Sequence, residues 1–202
     1  MAKINSNSIL FLYEGDTELE FYESLFEKYL PPRSIRLKKK NIKGQGNLNR
    51  KVESAIYQHL DEKSDEDNIH VFVAHDREGP REKESMFDPE YFDKKVIRKK
   101  GSRIKSVNEI VATQDVESWF FADLDGIYDY LKVPKNKRNY RNYRNIESLD
   151  YTKLSQLFRR FGKIYFKGER AEGLIQKLNV QKIYESIPEI QNAIEKMTAL
   201  IP

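Results

Sequence analysis

The sequence contains no cysteine, and none of its apolar runs approaches the length of a membrane span. Without cysteine the chain can form neither disulfides nor cysteine-ligated zinc sites, which fits a reducing compartment. A helix that crosses a bilayer needs about 20 apolar residues, and the first residues lack the apolar core of a signal peptide. We therefore expect a cytoplasmic protein without a membrane segment.

The chain contains no Ser-His-Asp set. It also lacks a P-loop and a Gly-x-Gly-x-x-Gly turn, so the usual modes of triphosphate binding are excluded. It is rich in charge instead: 36 Lys and Arg stand against 32 Asp and Glu among 202 residues. Basic residues concentrate at 38–40, 98–100 and 135–144, whereas acids concentrate at 61–67 and after apolar runs. This separation suits a phosphate polymer that metal ions bridge to an acidic site.

Strand-like and helix-like segments alternate over the first two thirds of the chain. This order predicts an α/β fold with a mostly parallel, four-stranded sheet and helices on both faces. After residue 133 the pattern changes to a basic loop and a helical extension, so we expect an α/β domain at 1–133 with residues 134–202 packed on it. The predicted strands are 8–13, 34–42, 69–75 and 103–113, and the predicted helices are 16–30, 47–61, 115–131, 151–161 and 170–200.

Acidic residues follow three of these strands in pairs. Open α/β sheets bind ligands beyond the carboxyl ends of their strands. The right-handed crossover rule brings the ends of strands one, three and four to one edge. Carboxylates there suit Mg²⁺ or Mn²⁺, and two such ions about 3.5–4 Å apart would clamp a phosphodiester during cleavage. The candidate ligands are Glu14, Glu18, Asp76, Glu78, Asp115 and Glu117.

Individual acids also have structural interpretations. Glu18 could be a favourable charge near a helix N-terminus, and Asp115 could cap the helix that follows it. Glu78 could be a turn residue that pairs with a nearby arginine. The metal-site hypothesis therefore depends on the convergence of the three pairs rather than on any one acid.

The apolar strand before Glu14-Gly15-Asp16-Thr17-Glu18 and the later strand before Asp76-Arg77-Glu78 resemble the TOPRIM fold of topoisomerases, primases and some nucleases. That family carries an Asp-x-Asp motif after the later strand, and in this chain Glu78 stands at the position of the second aspartate. The chain is more similar to TOPRIM nucleases of the overcoming-lysogenization-defect type, whose further acids match Glu18 and Asp115-Val116-Glu117. The run 115–123 and Tyr165-Phe166-Lys167-Gly168 also resemble small prokaryotic TOPRIM-like proteins.

This resemblance implies a metal-dependent nuclease in which Glu14 and Asp76 are catalytic and a downstream lysine assists. Lys167 is preferred over Lys163 because it follows the aromatic pair that would anchor it, and a lysine there could neutralise charge on a phosphate. The alternative is an ordinary surface lysine. The resemblance further implies a role in anti-phage defence and an ATPase encoded alongside as a partner.

The basic segment 135–144 is the best nucleic-acid signal, since cations contact phosphates and tyrosine rings stack on unpaired bases. The alternative is a solvated loop whose tyrosines cover the core edge. The candidate nucleic-acid contacts are Lys135, Lys137, Arg138, Tyr140, Arg141, Tyr143 and Arg144.

The leading hypothesis is hydrolysis of phosphodiesters in DNA or RNA. Strand alternation turns His75 away from Asp76, so we expect a hydrogen-bonded histidine there and a water activated by metal as the nucleophile. The first alternative is a nucleic-acid-binding module without catalysis, which would gain nothing from six acids beside a phosphate polymer. The second is a phosphotransfer or phosphatase domain for small molecules, which would not need the basic loop.

Overall fold

The computed structural model describes residues 7–43, 47–63, 68–77, 87–99 and 101–201. Its centre is a four-stranded sheet in the order β2-β1-β3-β4. All three strand pairs are parallel, which confirms the predicted fold class. The strands are β1 (Asn7–Tyr13), β2 (Arg36–Asn41), β3 (Asn68–Asp76) and β4 (Ile104–Ala112).

Two helices follow the first two strands and cover opposite faces of the sheet. Helix α1 (Asp16–Tyr29) packs on the face formed by Ile9 and Phe11. Helix α2 (Leu48–Glu62) packs on the face formed by Leu10 and Leu12. Alternate side chains of β1 thus enter two separate cores, as the two-residue period of a strand requires.

The other described elements are helices and helical turns, and they cover both faces of the sheet. Helix α3 (Pro89–Phe92) packs on the α2 side, together with the π-helical turn Asp93–Ile97 that follows it. All later helices join the core on the α1 side. They are α4 (Val116–Phe120), α5 (Leu124–Tyr130), α6 (Tyr151–Arg160), α7 (Glu172–Ile175), α8 (Val180–Ser186) and α9 (Pro188–Thr198).

The helix predicted at 115–131 is wrong as a continuous element. A 3₁₀ turn at Phe121–Asp123 separates α4 from α5. The buried carboxylate of Asp123 accepts the Asn179 backbone N–H at 2.7 Å and lies 3.2 Å from the Lys182 Nζ. The interruption therefore places an acid at the start of α8, where it satisfies an N–H group just before that helix.

The helical stretch predicted at 170–200, with an interruption at Pro188, contains three helices, α7, α8 and α9. Asn179 caps α8 by accepting the Lys182 backbone N–H, and Pro188 begins α9. Within the described ranges, no helix has both the length and the apolar character needed to span a membrane.

Candidate metal centre

Three neighbouring parallel strands end at the same edge of the sheet. Glu14 directly follows β1, and Asp76 is the last residue of β3. Asp115 and Glu117 lie at the start of α4, a few residues after β4 ends. Because β1, β3 and β4 are adjacent and parallel, these acids approach one another from three elements, as the crossover rule predicts.

The first turn of α1 positions Glu18. Gly15 occupies the N-cap position and has no side chain to cap the helix. The Glu18 carboxylate folds back into the space above Gly15, where a Cβ atom would lie 2.6 Å from its Oε2. Burial raises the pKa of Glu18, and the negative charges of Glu14 and Asp115 add to this rise, whereas Lys167 opposes it.

Asp76 lies at the centre of the group. Its pKa is raised well above the usual range, first by burial and then by the negative charges of Glu18, Asp115 and Glu117. The positive charge of Lys167 opposes this rise. The carboxylates of Glu18, Asp76, Asp115 and Glu117 therefore lie close enough to repel one another in a partly desolvated site.

Asp115 has a structural role in addition to its place in this group. Its Oδ1 accepts the Ser118 backbone N–H at 3.1 Å, which confirms the N-cap interpretation. Its Oδ2 accepts the Tyr151 backbone N–H at 2.7 Å and so joins the starts of α4 and α6. Burial raises the pKa of Asp115, although these N–H groups and Lys167 counteract part of the rise.

Glu117 is the most deeply buried acid of the group, with 1% of its surface exposed. The Tyr165 hydroxyl donates to its Oε1 at 3.2 Å, and the Lys167 Nζ lies 3.3 Å from its Oε2. Within the described residues, Oε2 accepts no hydrogen bond of good geometry. Burial raises the pKa of Glu117 to about 7, with Lys167 opposing the rise and Asp115 and Glu18 adding to it.

The segment 163–168 brings a lysine to the acids. Tyr165 is buried, and the Gly168 N–H donates to the Thr17 Oγ1 at 2.7 Å, so the segment is fixed on both sides of Lys167. Burial works to lower the pKa of Lys167, but Glu117, Asp115 and Asp76 raise it on balance. The ammonium group is thus held as a cation among the carboxylates.

The structure also separates the two candidate lysines. The Lys163 Nζ donates to the Tyr130 carbonyl at 3.0 Å and lies over the Tyr130 ring. Of the two, Lys167 is the lysine that forms an ion pair with a candidate metal ligand. Sequence reasoning chose Lys167 but missed Thr17, whose position inside the Glu14–Glu18 motif is its only sequence signal.

The acids supply oxygen ligands. The Oε2 of buried Glu117 forms an ion pair with Lys167 but accepts no hydrogen bond among the described residues, so it suits a hard cation. Among the described residues, however, no three acidic or histidine side chains already lie at metal-ligating spacing. Binding would therefore require side-chain rotation, or water molecules to complete the coordination. Glu78, the remaining predicted ligand, lies outside the described residues.

His75 is buried and hydrogen-bonded, as expected. Its Nε2 lies 2.9 Å from the Glu109 Oε1, and its Nδ1 lies 3.3 Å from the Asp76 carbonyl oxygen. It supports the end of β3 without presenting a ring nitrogen to the acid group, so these contacts favour a positioning role over that of a general base.

The basic segment 135–144 divides into exposed cations and internally bonded side chains. The Arg138 side chain is 9% exposed and forms ion pairs with Asp125, at 3.1 Å, and with Asp129. The Tyr140 hydroxyl donates to the Asp125 Oδ1 at 2.7 Å, and the Tyr143 ring stacks on Phe121. These contacts support the structural alternative for Tyr143 and give Arg138 internal partners, whereas Tyr140 remains 45% exposed. The exposed cations are Lys135, Lys137, Arg141 and Arg144.

Comparison with known proteins identifies one family. A family model described as a domain of unknown function (DUF4276) matches residues 13–198, a range that contains every candidate ligand named above. No curated protein and no solved structure matched the chain. The candidate chemistry therefore has to be argued from the site itself.

Proposed function

Since the chain belongs to the family described as a domain of unknown function (DUF4276), whose description assigns no activity, we propose a function from the site itself. The protein is a divalent-metal-dependent phosphodiesterase that cleaves nucleic acid. One observation carries this proposal: carboxylates from the ends of three adjacent parallel strands repel one another around Asp76.

The electrostatics of the acid group favour a cation. Burial raises the pKa values of Glu18, Asp76, Asp115 and Glu117. Other acids of the group add to the rise at Glu18, Asp76 and Glu117, and Asp150 adds to it at Asp115, whereas Lys167 acts in the opposite direction at each of the four. A single ammonium group cannot neutralise four carboxylates. A divalent ion would favour their ionised forms and remove the cost of keeping like charges together.

The donor set suits Mg²⁺ or Mn²⁺. Both ions prefer carboxylate oxygens, and Mg²⁺ usually keeps several waters and takes only one or two carboxylates from the protein. The ligands would be drawn from Glu14, Glu18, Asp76 and Glu117, while Asp115 remains committed in part to its backbone contacts. When bound, the ion would neutralise charge on a phosphate and make a water a better nucleophile.

The expected reaction is hydrolysis of a phosphodiester. The oxygen of a water molecule forms a bond to phosphorus, the bond from phosphorus to one ester oxygen breaks, and that oxygen leaves as an alcohol after gaining a proton. Lys167 has about half of its side chain exposed, at 49%, so its ammonium group can face a substrate as well as Glu117. It would stabilise the negative charge that grows on the phosphate oxygens.

The surroundings favour a polymer over a small phosphate ester. Lys135, Lys137, Arg141 and Arg144 are exposed, and exposed cations supply the sequence-independent part of nucleic-acid affinity. The ATPase partner, the defence role and the cytoplasmic location expected from the sequence remain predictions that accompany this proposal.

Two substitutions that preserve side-chain shape test the proposal. Glu14→Gln and Asp76→Asn should abolish Mn²⁺-dependent cleavage of DNA or RNA and weaken Mn²⁺ binding in a calorimetric titration. The exposed Glu195→Gln variant removes the same charge at a distance and should match the wild type in both measurements.

The outcomes separate the functional hypotheses. Wild-type activity in Asp76→Asn would remove this residue from the site, and cleavage that resists EDTA would exclude the metal mechanism. Tight nucleic-acid binding without cleavage in Mg²⁺ or Mn²⁺ would favour the binding module. Turnover of small phosphate esters without polymer cleavage would favour the phosphatase.

A further inference from the structure

A basic pocket of about 310 Å³ lies between β2 and the start of α2. Its walls include three cationic side chains, those of Lys40, Arg50 and Lys51, and the lining residues in the described part of the chain include no acid. The remaining polar wall is formed by Asn41, Ser54 and Gln58. The lining therefore suits an anion.

Hydrogen bonds position two of the cations. The Lys40 Nζ donates to the Gln58 Oε1 at 2.7 Å, and the Lys51 Nζ donates to the Lys43 carbonyl at 2.8 Å. An ammonium group has three N–H donors, so one such contact does not saturate the Lys40 side chain.

A general role in solubility explains only part of this pattern. Lysines on an edge strand such as β2 discourage pairing with other chains, which accounts for Lys40. Arg50 and Lys51, however, come from the first turns of α2, which has no acid in its first turn. Cations near a helix N-terminus oppose the helix dipole, and a bound anion would offset this unfavourable interaction.

The pocket lies next to the acid edge of the sheet. Asn41 pairs with Tyr13 in the β1–β2 ladder, and the Ile42 N–H donates to the Tyr13 carbonyl at 2.8 Å. Glu14 is the next residue of the chain. Neighbouring strands are about 4.8 Å apart, so the end of β2 that lines the pocket lies one strand away from the end of β1, which Glu14 follows.

We propose that this pocket binds a phosphate group of the nucleic acid, next to the phosphate that is hydrolysed. This proposal rests on the function proposed above, because the neighbouring acid edge provides the reason for a phosphate chain to pass here. The anion is either an internal phosphodiester or a terminal phosphomonoester of the strand.

The test is a binding measurement without catalysis. The triple variant Lys40→Gln/Arg50→Gln/Lys51→Gln is compared with the wild type by fluorescence anisotropy in EDTA, using a single-stranded oligonucleotide and its duplex. Loss of phosphate contacts should weaken binding. It should also flatten the slope of log affinity against log salt, by about 0.7 per contact on single strands and about 0.9 on duplex.

Two matched variants serve as controls. Lys94→Gln/Lys177→Gln/Lys196→Gln removes the same charge from exposed positions elsewhere and should retain the wild-type slope. Lys40→Arg/Arg50→Lys/Lys51→Arg keeps the charge in the pocket and should also retain it. The proposal would be overturned if the Lys40→Gln/Arg50→Gln/Lys51→Gln pocket variant lost no more affinity than the distant Lys94→Gln/Lys177→Gln/Lys196→Gln variant. A folded pocket variant with the wild-type salt slope would also overturn it.

The source of the anion follows from two further probes. Oligonucleotides of one sequence with a 5′-phosphate or a 5′-hydroxyl are compared, with inorganic phosphate as a competitor. Equal losses for both oligonucleotides in the pocket variant indicate an internal phosphodiester, and a loss confined to the phosphorylated one indicates a terminal phosphate.

The binding test does not depend on cleavage. If the Asp76→Asn variant cleaved like the wild type while the pocket variant lost affinity, the proposed metal mechanism would fail and the phosphate pocket would stand. If cleavage required Asp76 and the pocket variant bound like the wild type, the pocket proposal would fail and the function would stand.

Discussion

Glu117→Gln should stabilise the metal-free protein at neutral and alkaline pH, although it removes an ion pair. Glu117 is 1% exposed, and burial raises its pKa from 4.5 to about 7. Folding therefore favours the protonated carboxyl group, and its ionised form is a cost to the native state. Glutamine keeps the shape and still offers an oxygen to the Tyr165 hydroxyl, but it carries no charge to bury.

The pKa shift gives both the sign and the size of the effect. Between pH 4.5 and 7 the native protein binds more protons at Glu117 than the unfolded chain does, so stability falls as pH rises. The loss is complete above the folded pKa of about 7. Each tenfold change in proton affinity is worth about 1.4 kcal/mol, so the total is about 3 kcal/mol. The variant should have a shallower pH profile because it loses the contribution of Glu117. The profile should not be flat, since Asp76 retains a raised pKa.

Urea unfolding in EDTA at pH 5 and at pH 8 measures this difference. The two proteins should differ little at pH 5, and the variant should be the more stable at pH 8. The exposed Glu195→Gln variant should follow the wild type at both values. Mn²⁺ should stabilise the wild type more at pH 8 than at pH 5, since ionised carboxylates bind it. A variant that is less stable than the wild type at pH 8 would refute the electrostatic reasoning.

Three further predictions concern Gly15, beside the acid group, and the arginines of the basic segment 135–144. Gly15→Ala should fold with a loss of no more than about 1 kcal/mol. Its Cβ atom would displace the Glu18 carboxylate, so Mn²⁺ affinity should fall as in Glu18→Gln, and wild-type affinity would contradict the position of Glu18. Arg138→Ala should lower the melting temperature, because its ion pairs are internal. Arg141→Ala/Arg144→Ala should leave melting unchanged and flatten the salt slope of oligonucleotide binding by about 0.7 per lost contact, and an unchanged slope would exclude both residues from binding.

The parallel sheet and the common edge at which acids follow its strands could be predicted, because both follow from local patterns combined with one rule of topology. Apolar runs identify the strands, and right-handed crossovers between parallel strands place their carboxyl ends together. Glu14 and Asp76 directly follow such a run, and Asp115 follows one within a few residues. Their convergence therefore needed no knowledge of side-chain packing.

The contacts that tune the site could not be predicted, since they join residues that are distant in sequence. Tyr165 reaches Glu117 across 48 positions, and Gly168 reaches Thr17 across 151. Nothing in either local sequence indicates its partner. The division of the helix predicted at 115–131 has the same cause, because the buried Asp123 is fixed by groups at the start of α8.

The basic segment 135–144 illustrates how composition can mislead about individual residues. Its cations are similar in sequence, yet Arg138 lies against acids of α5 while Arg141 and Arg144 remain exposed. The positive charge that the segment presents to a ligand is therefore smaller than a count of arginines implies. A nucleic-acid footprint has to be built from the exposed cations alone, because a paired guanidinium releases no counterion from a phosphate chain.

The distribution of charge around the acid edge is the strongest general argument for a phosphate substrate. Buried carboxylates with raised pKa values cost stability, and a purely structural site would gain from apolar residues in their place. Lys167 offsets only part of the repulsion. Cations stand apart from the acids, in the lining of the β2–α2 pocket and in the segment 135–144. Such a separation of charge suits a phosphate chain that a divalent ion would bridge to the acids, as proposed above.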